Sequence, residues 1–424
     1  MRKYLKPTTE FGRNIVKLLT GTTIAQAIPV LITPVLTRLY TPEEFGVFAL
    51  FFSIVTIGAL IATGRYEVAM MLPKSRANAK HLILLSLSIS AVFNISLLVI
   101  LFLYLEPIEN VLGISNASTW IYLTPLSIFI LSAYNIFNYW LSRNRLFQFI
   151  SVSRVLQSTL ISVVQLIIGL AFKLKSGLII SDVIGRVMTM VYIFHHIKKK
   201  DKFSFSKKRM MVLSARYKKF PIYELPASTF NSAAFQSPFF LIPIFFGTIM
   251  SGLYFLVFRV VMLPVSLIGS AFLEVFRVQS TEDMRTLGNC TKVFKKTLIL
   301  LFLCGVPPTL ILLIWAPELF AFIFGDTWYQ AGIYAQILAP VAMIRLISSP
   351  LSYMFFLKEK LQLNLIFQMT YFGLIILSIT VGAYYNSELL MFYLMSVSGI
   401  IFYSAQIVTS YYLSLSSNDM RAKI

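Results

Sequence analysis

The stretch His81–Leu103, HLILLSLSISAVFNISLLVILFL, decides the fold because it runs for 23 residues without an Asp, Glu, Lys or Arg. About 20 consecutive apolar residues in an α-helix cross the hydrocarbon core of a bilayer. The whole chain shares this character: 57% of its 424 residues are hydrophobic and only 13% are charged. A soluble domain carries about 25% charged residues. The sequence therefore predicts an all-α polytopic membrane protein.

Twelve apolar spans of this kind follow one another along the chain, separated mostly by short turns. Their predicted bounds are Asn14–Leu39, Glu44–Gly64, Ala79–Leu103, Trp120–Leu141, Ser151–Phe172, Ser176–Ile197, Phe220–Phe246, Ile249–Leu273, Phe294–Trp315, Tyr329–Leu357, Leu361–Ala383 and Glu388–Leu413.

The distribution of basic residues predicts the orientation. With both termini in the cytoplasm, 31 of the 37 Lys and Arg residues fall on the cytoplasmic side, and only Arg38, Lys173 and Lys175 fall outside. Cytoplasmic loops of membrane proteins carry such an excess of basic residues. The net charge of +20 is then topogenic, and no nucleic-acid partner is expected. We predict a multi-pass protein of the bacterial cytoplasmic (inner) membrane.

The chain also shows signs of an internal repeat, six spans on each side of a basic loop. Leu123-Thr124-Pro125 matches Leu338-Ala339-Pro340, and without a gap Arg143 and Arg145 then match Lys358 and Lys360. Because six helices separate the matching positions, the halves have the same orientation. We predict an N-terminal lobe at 1–197, a basic cytoplasmic linker at 198–219 and a C-terminal lobe at 220–424. Two such lobes imply a central cavity between them.

The sequence shows no constellation of catalytic residues, so the protein is not predicted to be an enzyme. It has no glycine-rich nucleotide-binding loop, and its two cysteines lack the spacing of metal ligands. No cofactor and no metal are expected. A coupling proton or sodium ion remains an open possibility.

Arginines inside the predicted spans are the main candidates for function. Arg186, Arg259 and Arg345 lie well within spans six, eight and ten, and Arg38 lies near the outer end of span one. A charged side chain at a helix centre costs about 2.5–3.5 kcal/mol on insertion scales, so such residues usually face a cavity. Guanidinium groups offer paired donors to phosphate oxygens. We predict that these four residues form a cationic, anion-accepting cavity, although Arg38 could instead extend to the interface.

Three acidic residues have two open interpretations, ion coupling or pairing with a base. Asp182 lies four residues before Arg186 on one helix face, while Glu224 and Glu274 lie near the cytoplasmic ends of spans seven and eight.

Paired prolines mark the first span of each half. Prolines bend membrane helices because they lack a hydrogen-bond donor. The sequence leaves open whether the bend acts as a gating hinge or as a fixed kink. These prolines are Pro29, Pro34, Pro238 and Pro243.

Three segments resemble those of a known family. Thr37–Gly46 (TRLYTPEEFG), Arg65–Lys74 (RYEVAMMLPK) and Phe324–Gly332 (FGDTWYQAG) occur in the family's order, and the resemblance spans nearly the whole chain. On these segments the chain resembles the Wzx-type O-antigen flippases, within the polysaccharide transporters of the multidrug/oligosaccharidyl-lipid/polysaccharide exporter superfamily.

The resemblance implies a fold of two six-helix lobes and a specific activity. Proteins of this family move undecaprenyl-diphosphate-linked sugar repeat units from the cytoplasmic to the periplasmic leaflet by alternating access. Their partners would be the lipid-linked oligosaccharide, the bilayer, and a polysaccharide polymerase with its chain-length regulator. The arginines above come from their depth in the spans and not from a family motif.

Two other functions compete with this interpretation. An ion-coupled multidrug exporter of the same superfamily usually carries carboxylates within the membrane, whereas the deep charges here are basic. A membrane-embedded polysaccharide polymerase or transferase would need a large outer loop or acidic catalytic residues on loops, and neither is present in the sequence.

Overall fold

The structure is a computed structural model that describes residues 10–112, 120–172, 174–200 and 205–415. Over these ranges every regular element is a helix, which confirms the all-α prediction. The α-helices are α1 (Glu10–Leu39), α2 (Pro42–Ile61), α3 (Tyr66–Ala69), α4 (Arg76–Leu103), α5 (Leu105–Leu112), α6 (Leu123–Arg143), α7 (Phe147–Ala171), α8 (Gly177–Lys200), α9 (Lys207–Arg216), α10 (Leu225–Val257), α11 (Leu263–Leu287), α12 (Thr291–Phe324), α13 (Tyr329–Leu351), α14 (Tyr353–Leu357), α15 (Leu361–Tyr384) and α16 (Glu388–Ser414). Two π-helical turns, π1 (Phe220–Glu224) and π2 (Phe258–Met262), and a 3₁₀ turn at Asp326–Trp328 lie between them.

Within the described ranges, ten stretches are long and apolar enough by themselves to cross a membrane, where the sequence predicted twelve spans. One difference is Phe235–Leu287, a single stretch of 53 residues that contains the second part of span seven and all of span eight. The other is α6, the predicted fourth span, which is not among the ten. Asn135 and Asn138 lower its hydropathy, and much of α6 is buried against protein. With these two differences resolved, the described residues form twelve helical segments of membrane length.

Gly247 is the reason that spans seven and eight are separate helices. It has φ 84° and ψ 169° and interrupts α10 at the position where the sequence predicted one span to end and the next to begin. A residue with a Cβ adopts such a positive φ only at a cost, whereas glycine adopts it readily.

By contact density the chain divides into two compact units, Met1–Thr248 and Ile249–Ile424. The predicted lobes at 1–197 and 220–424 and the linker at 198–219 rest on the repeat and not on contacts, so they stay a prediction. Residues 201–204 of that linker lie outside the described ranges.

In the first unit, α7 packs against α1 and α8, and α6 packs against α2 and α4. The core around α6 contains Trp140, Phe137 and Ile136, which are buried against Ile83 of α4 and Ile193 of α8. The bulky aromatic end of α6 therefore holds α4 and α8 together.

In the second unit, α13 is the central helix and contacts α11, α12 and α16, while α15 packs on α16. Gly332 lets α12 and α13 approach closely, since a Cβ at that position would lie 2.5 Å from the Cα of Pro317. Small residues at such crossings allow membrane helices to pack backbone to backbone.

The two halves share one turn in detail. Arg145 (φ 58°) and Glu359 (φ 54°) both adopt the left-handed conformation after a helix. In each turn the next amide donates five residues back, from Leu146 to Leu141 at 2.9 Å and from Lys360 to Phe355 at 2.8 Å, as in a Schellman motif. Arg145 thus corresponds to Glu359 and not to Lys360, so the predicted ungapped match is wrong by one residue at this turn. One residue fewer separates the turn from its proline in the second half.

Candidate functional site

The predicted site residue Arg259 lies in π2, where the helix widens by one residue. The amide of Leu263 donates to the carbonyl of Phe258, five residues back. Pro264 follows, and because proline has no amide proton it cannot donate to Val260. Such π-helical turns are frequent at functional sites. Arg259 itself is buried, with 6% of its surface exposed.

Arg345, in the second half of α13, lies against the same turn. Its Nη1 is 3.9 Å from the sulfur of Met262, the last residue of π2. The structure therefore brings the two predicted arginines to one short segment of the second unit, Arg259 within π2 and Arg345 in contact with π2. Sequence separation gave no indication of this proximity.

Three tyrosines lie close enough to Arg345 to affect it electrostatically. Their phenolic groups interact with it electrostatically, from Tyr254 on α10, Tyr371 on α15 and Tyr403 on α16. The rings of Tyr371 and Tyr403 lie 5.3 Å apart. Tyr254 and Tyr403 are buried. We call Arg259, Arg345 and these three tyrosines the arginine–tyrosine cluster.

A second layer of aromatic rings supports the cluster. Phe402 stacks on Tyr371 with ring centroids 4.6 Å apart. Phe392 lies 6.1 Å from Tyr254 and stacks on Tyr334 at 4.1 Å. Aromatic side chains have few rotamers to lose and pack rigidly. The hydroxyl groups of the cluster are thus held on a rigid base.

Arg186 is placed differently, in the first unit. Its Nε lies 2.6 Å from the Asp182 carboxylate on the same face of α8, and both side chains are almost fully buried. The structure therefore forms the pair that the sequence left as the alternative to a cavity role. A buried carboxylate at hydrogen-bonding distance satisfies much of the charge of Arg186.

Two further predicted residues, Arg38 and Glu274, are not members of the arginine–tyrosine cluster. Arg38 is exposed in the last turn of α1. Glu274 pairs with Arg277 at 3.3 Å, one helical turn away and partly exposed.

A side chain of a neighbouring helix supports the backbone of α1 at Pro29. Pro29 cannot donate to the carbonyl of Ala25, four residues back. The Ser158 hydroxyl of α7 donates to that carbonyl instead, at 2.6 Å. Pro34 and the pair Pro238 and Pro243 lie inside α1 and α10. The bond from Ser158 favours a fixed kink at Pro29.

Glu224 belongs to an ionic network at the end of π1. Arg65 contacts two carboxylates, with Nη1 3.4 Å from Glu67 and Nη2 3.1 Å from Glu224. The Ser228 hydroxyl donates to Glu224 at 2.8 Å. Arg65 joins the loop after α2 to the start of α10 within the first unit. Its φ of 59° is costly for a residue with a Cβ, and such strain recurs at functional positions.

Glu67 has the most unusual environment of this network. It is 2% exposed and lies between the spans α2 and α4. Burial raises the pKa of its carboxyl, and the hydrogen bond from Thr63 and the charge of Arg65 oppose that rise only in part.

Sequence reasoning missed several residues that the structure brings to attention. The three tyrosines come from three helices that are distant in sequence. Arg154, counted as a loop residue, lies about two turns inside α7, where its Nη1 donates to Thr22 at 2.7 Å. The two π-helical turns share one local sequence feature: π1 and π2 both begin with Phe and are followed by Leu-Pro.

Comparison with known proteins adds a family. The model of the family described as polysaccharide biosynthesis protein matches residues 35–333, which is more than half of the chain. No curated protein matches the chain.

Several solved structures share the fold. The lipid II flippase MurJ in an inward closed conformation has a TM-score of 0.73 at 13% identity, over 95% of this chain and 89% of that one. A MATE family multidrug resistance transporter in an inward-facing conformation has a TM-score of 0.66 at 14% identity, over 93% of this chain and 94% of that one. A MOP superfamily transporter from Pyrococcus furiosus has a TM-score of 0.59 at 13% identity, over 94% and 95%. These similarities confirm the predicted fold class, which is that of the MOP superfamily transporters.

Proposed function

Because the chain belongs to the polysaccharide biosynthesis protein family, whose model matches residues 35–333, we propose that it is a flippase for lipid-linked oligosaccharides. Its substrate is an undecaprenyl-diphosphate-linked repeat unit of O-antigen or a similar polysaccharide. It carries the unit from the cytoplasmic to the periplasmic leaflet of the bacterial inner membrane. A polysaccharide polymerase and its chain-length regulator then use the product.

The observation that carries the proposal is the arginine–tyrosine cluster within the membrane helices of the second unit. Arg345 lies against the π-helical turn that contains Arg259, and the phenolic groups of three tyrosines influence it electrostatically. A diphosphate needs cationic donors, and a guanidinium binds phosphate oxygens with two parallel hydrogen bonds. Tyrosines add hydroxyl donors and apolar rings, the combination that suits a sugar with polar edges and apolar faces.

The fold supports alternating access as the mode of transport. Among the structures that share it, MATE transporters are known in both an inward-facing and an outward-facing conformation. Polar sugars and a diphosphate are costly to move through hydrocarbon, whereas a polyprenyl chain is itself a hydrocarbon and can remain in the bilayer core. A transporter therefore needs to shield only the head group.

The buried carboxylate of the described spans argues against the drug-exporter alternative. Asp182 lies 2.6 Å from Arg186, so its charge is already balanced within the helix. A site for a cationic drug or a coupling cation would need a carboxylate whose negative charge is not already balanced by a neighbouring base.

Genetic complementation tests the proposal. The chain is expressed in a bacterium that lacks its own O-antigen flippase but retains a matching assembly pathway, and surface O-antigen is examined on a gel. We expect rescue by the unmutated chain and by Arg285→Ala, which removes an exposed arginine at the end of α11. Arg345→Ala and Arg259→Ala should fail at equal membrane levels. Failure of the unmutated chain, joined with resistance to cationic drugs, would instead establish a drug exporter.

A further inference from the structure

The helix α9 has two apolar faces, and the described residues of the protein cover only one of them. Met210, Leu213 and Tyr217 lie on one face and are buried in a cluster with Leu82 and Leu85 of α4. This contact holds α9 against the end of a membrane span. The hydroxyl of Tyr66 in α3 also donates to the Ser214 carbonyl at 3.2 Å, so the position of α9 is fixed.

The opposite face carries a second apolar stripe. Met211, Val212 and Ala215 lie together on it by helical spacing, since residues three and four apart share a face. All three are exposed, Met211 and Val212 by 58% and 61%. No part of the chain that the structure describes covers this apolar stripe, so a non-aqueous surface is expected to cover it.

Basic residues border the stripe on both sides. Lys207, Lys208, Arg209 and Arg216 are all exposed, and Arg216 lies 5.7 Å from the ring of its neighbour Tyr217. From Phe205 to Tyr223 the chain has six Lys or Arg residues and no acidic residue. A helix with an apolar stripe between bases lies in the interface of a membrane, and each base near an anionic leaflet adds to the attraction.

We infer that this face of α9 is a binding surface for anionic phospholipid head groups in the leaflet that it borders. The charge selects the partner: apolar side chains alone would suit any lipid, but four bases around them select a negatively charged one. A nucleic acid would not bury the stripe. The inference is independent of the transported substrate, and it assigns a role to a segment that the arginine–tyrosine cluster does not use.

A fluorescent probe on the stripe tests this inference. Val212→Cys is labelled with an environment-sensitive maleimide in the full chain, with Cys304, the exposed cysteine, replaced by Ala. Cys290 can stay, because it is buried and burial raises the pKa of its thiol to about 11. The protein is placed in nanodiscs of phosphatidylcholine, with or without phosphatidylglycerol, and quenching by neutral acrylamide is measured.

We expect about threefold less quenching in the discs that contain phosphatidylglycerol. Replacing Lys207, Lys208, Arg209 and Arg216 by Gln should abolish that difference. A matched set, Arg285→Gln with Lys292→Gln, Lys295→Gln and Lys296→Gln at the exposed junction of α11 and α12, should preserve it. Equal quenching in both kinds of disc, at any level, would overturn the inference. So would a loss of the difference in the matched set, because the effect would then follow total charge. Neither result depends on transport.

Discussion

The hydroxyl of Ser158 donates a hydrogen bond of 2.6 Å to the carbonyl of Ala25, the acceptor that Pro29 leaves without a helical donor. A corresponding hydrogen bond occurs in the second unit, where Gln336 of α13 donates through Nε2 to the carbonyl of Leu313 in α12. Leu313 lies four residues before Pro317, so its carbonyl also lacks a helical donor. In each case a side chain of the adjacent helix replaces the missing amide. These kinks are therefore tied to tertiary packing.

Ser158→Ala should destabilise the protein only while Pro29 is present. We expect a loss of about 0.5–1.5 kcal/mol in the free energy of unfolding, measured in mixed detergent micelles. In a Pro29→Ala background the new amide can donate to Ala25, so the same substitution should cost close to nothing. Equal costs in both backgrounds would mean that Ser158 does not serve the kink.

The Asp182–Arg186 pair allows a structural role to be separated from transport. Asp182→Leu or Arg186→Leu alone leaves one buried charge and should cost about 3–5 kcal/mol, whereas the double substitution should restore stability to within about 1 kcal/mol of the parent. Complementation is then measured with the stable double variant. Retained O-antigen export would make the pair structural, and loss of export at normal stability would place Arg186 in the transport path.

The left-handed conformation of Arg65 predicts that a glycine variant is more stable than an alanine variant at this position. Arg65→Gly and Arg65→Ala both remove the contacts with Glu67 and Glu224. Glycine adopts the φ of 59° without strain, so Arg65→Gly should be more stable than Arg65→Ala by about 1 kcal/mol. Thermal unfolding of the two variants gives the difference directly. If the alanine variant is as stable as the glycine variant, the strain at this position is absent.

Stability should depend on pH through Glu67. Because burial raises the pKa of this carboxyl above its ordinary value of 4.5, the folded state binds the proton more tightly than the unfolded state. The stabilisation of the folded state by the protonated Glu67 carboxyl is fully present below pH 4.5. It is lost as the pH rises through the raised pKa of the folded state. The melting temperature of the parent minus that of Glu67→Gln should therefore fall with rising pH. A difference that rises with pH would show that Arg65 outweighs burial.

The sequence predicted those features that depend on local chemistry. Uninterrupted apolar runs located the helices, and the break after Phe246 was placed at the correct position. The polarity of α6 does not prevent it from spanning, because protein and not lipid covers much of it. Depth within a helix made Arg345 a candidate for function, but it did not indicate which residues lie near it.

Properties that depend on tertiary contact could not be read from the chain. Tyr254, Tyr371 and Tyr403 converge from three helices, and nothing in their local sequence distinguishes them from lipid-facing aromatic residues. The same holds for Ser158, which becomes informative only when it is seen opposite Ala25. Arg65 belongs to one of the family-like segments of the sequence, yet its positive φ and its two carboxylate partners follow from the fold.

The most direct test of the central claim is transport in proteoliposomes. Purified protein is reconstituted with an undecaprenyl-diphosphate-linked oligosaccharide, and the fraction of sugar that an external, membrane-impermeant glycosidase can cleave is followed over time. The unmutated chain and Arg285→Ala should transfer the lipid-linked sugar between leaflets. Arg345→Ala should be slower by about ten- to a hundredfold, since charge-assisted hydrogen bonds contribute about 1.5–3 kcal/mol. A parent protein that leaves the sugar distribution unchanged, or an Arg345→Ala variant as fast as the parent, would contradict the account.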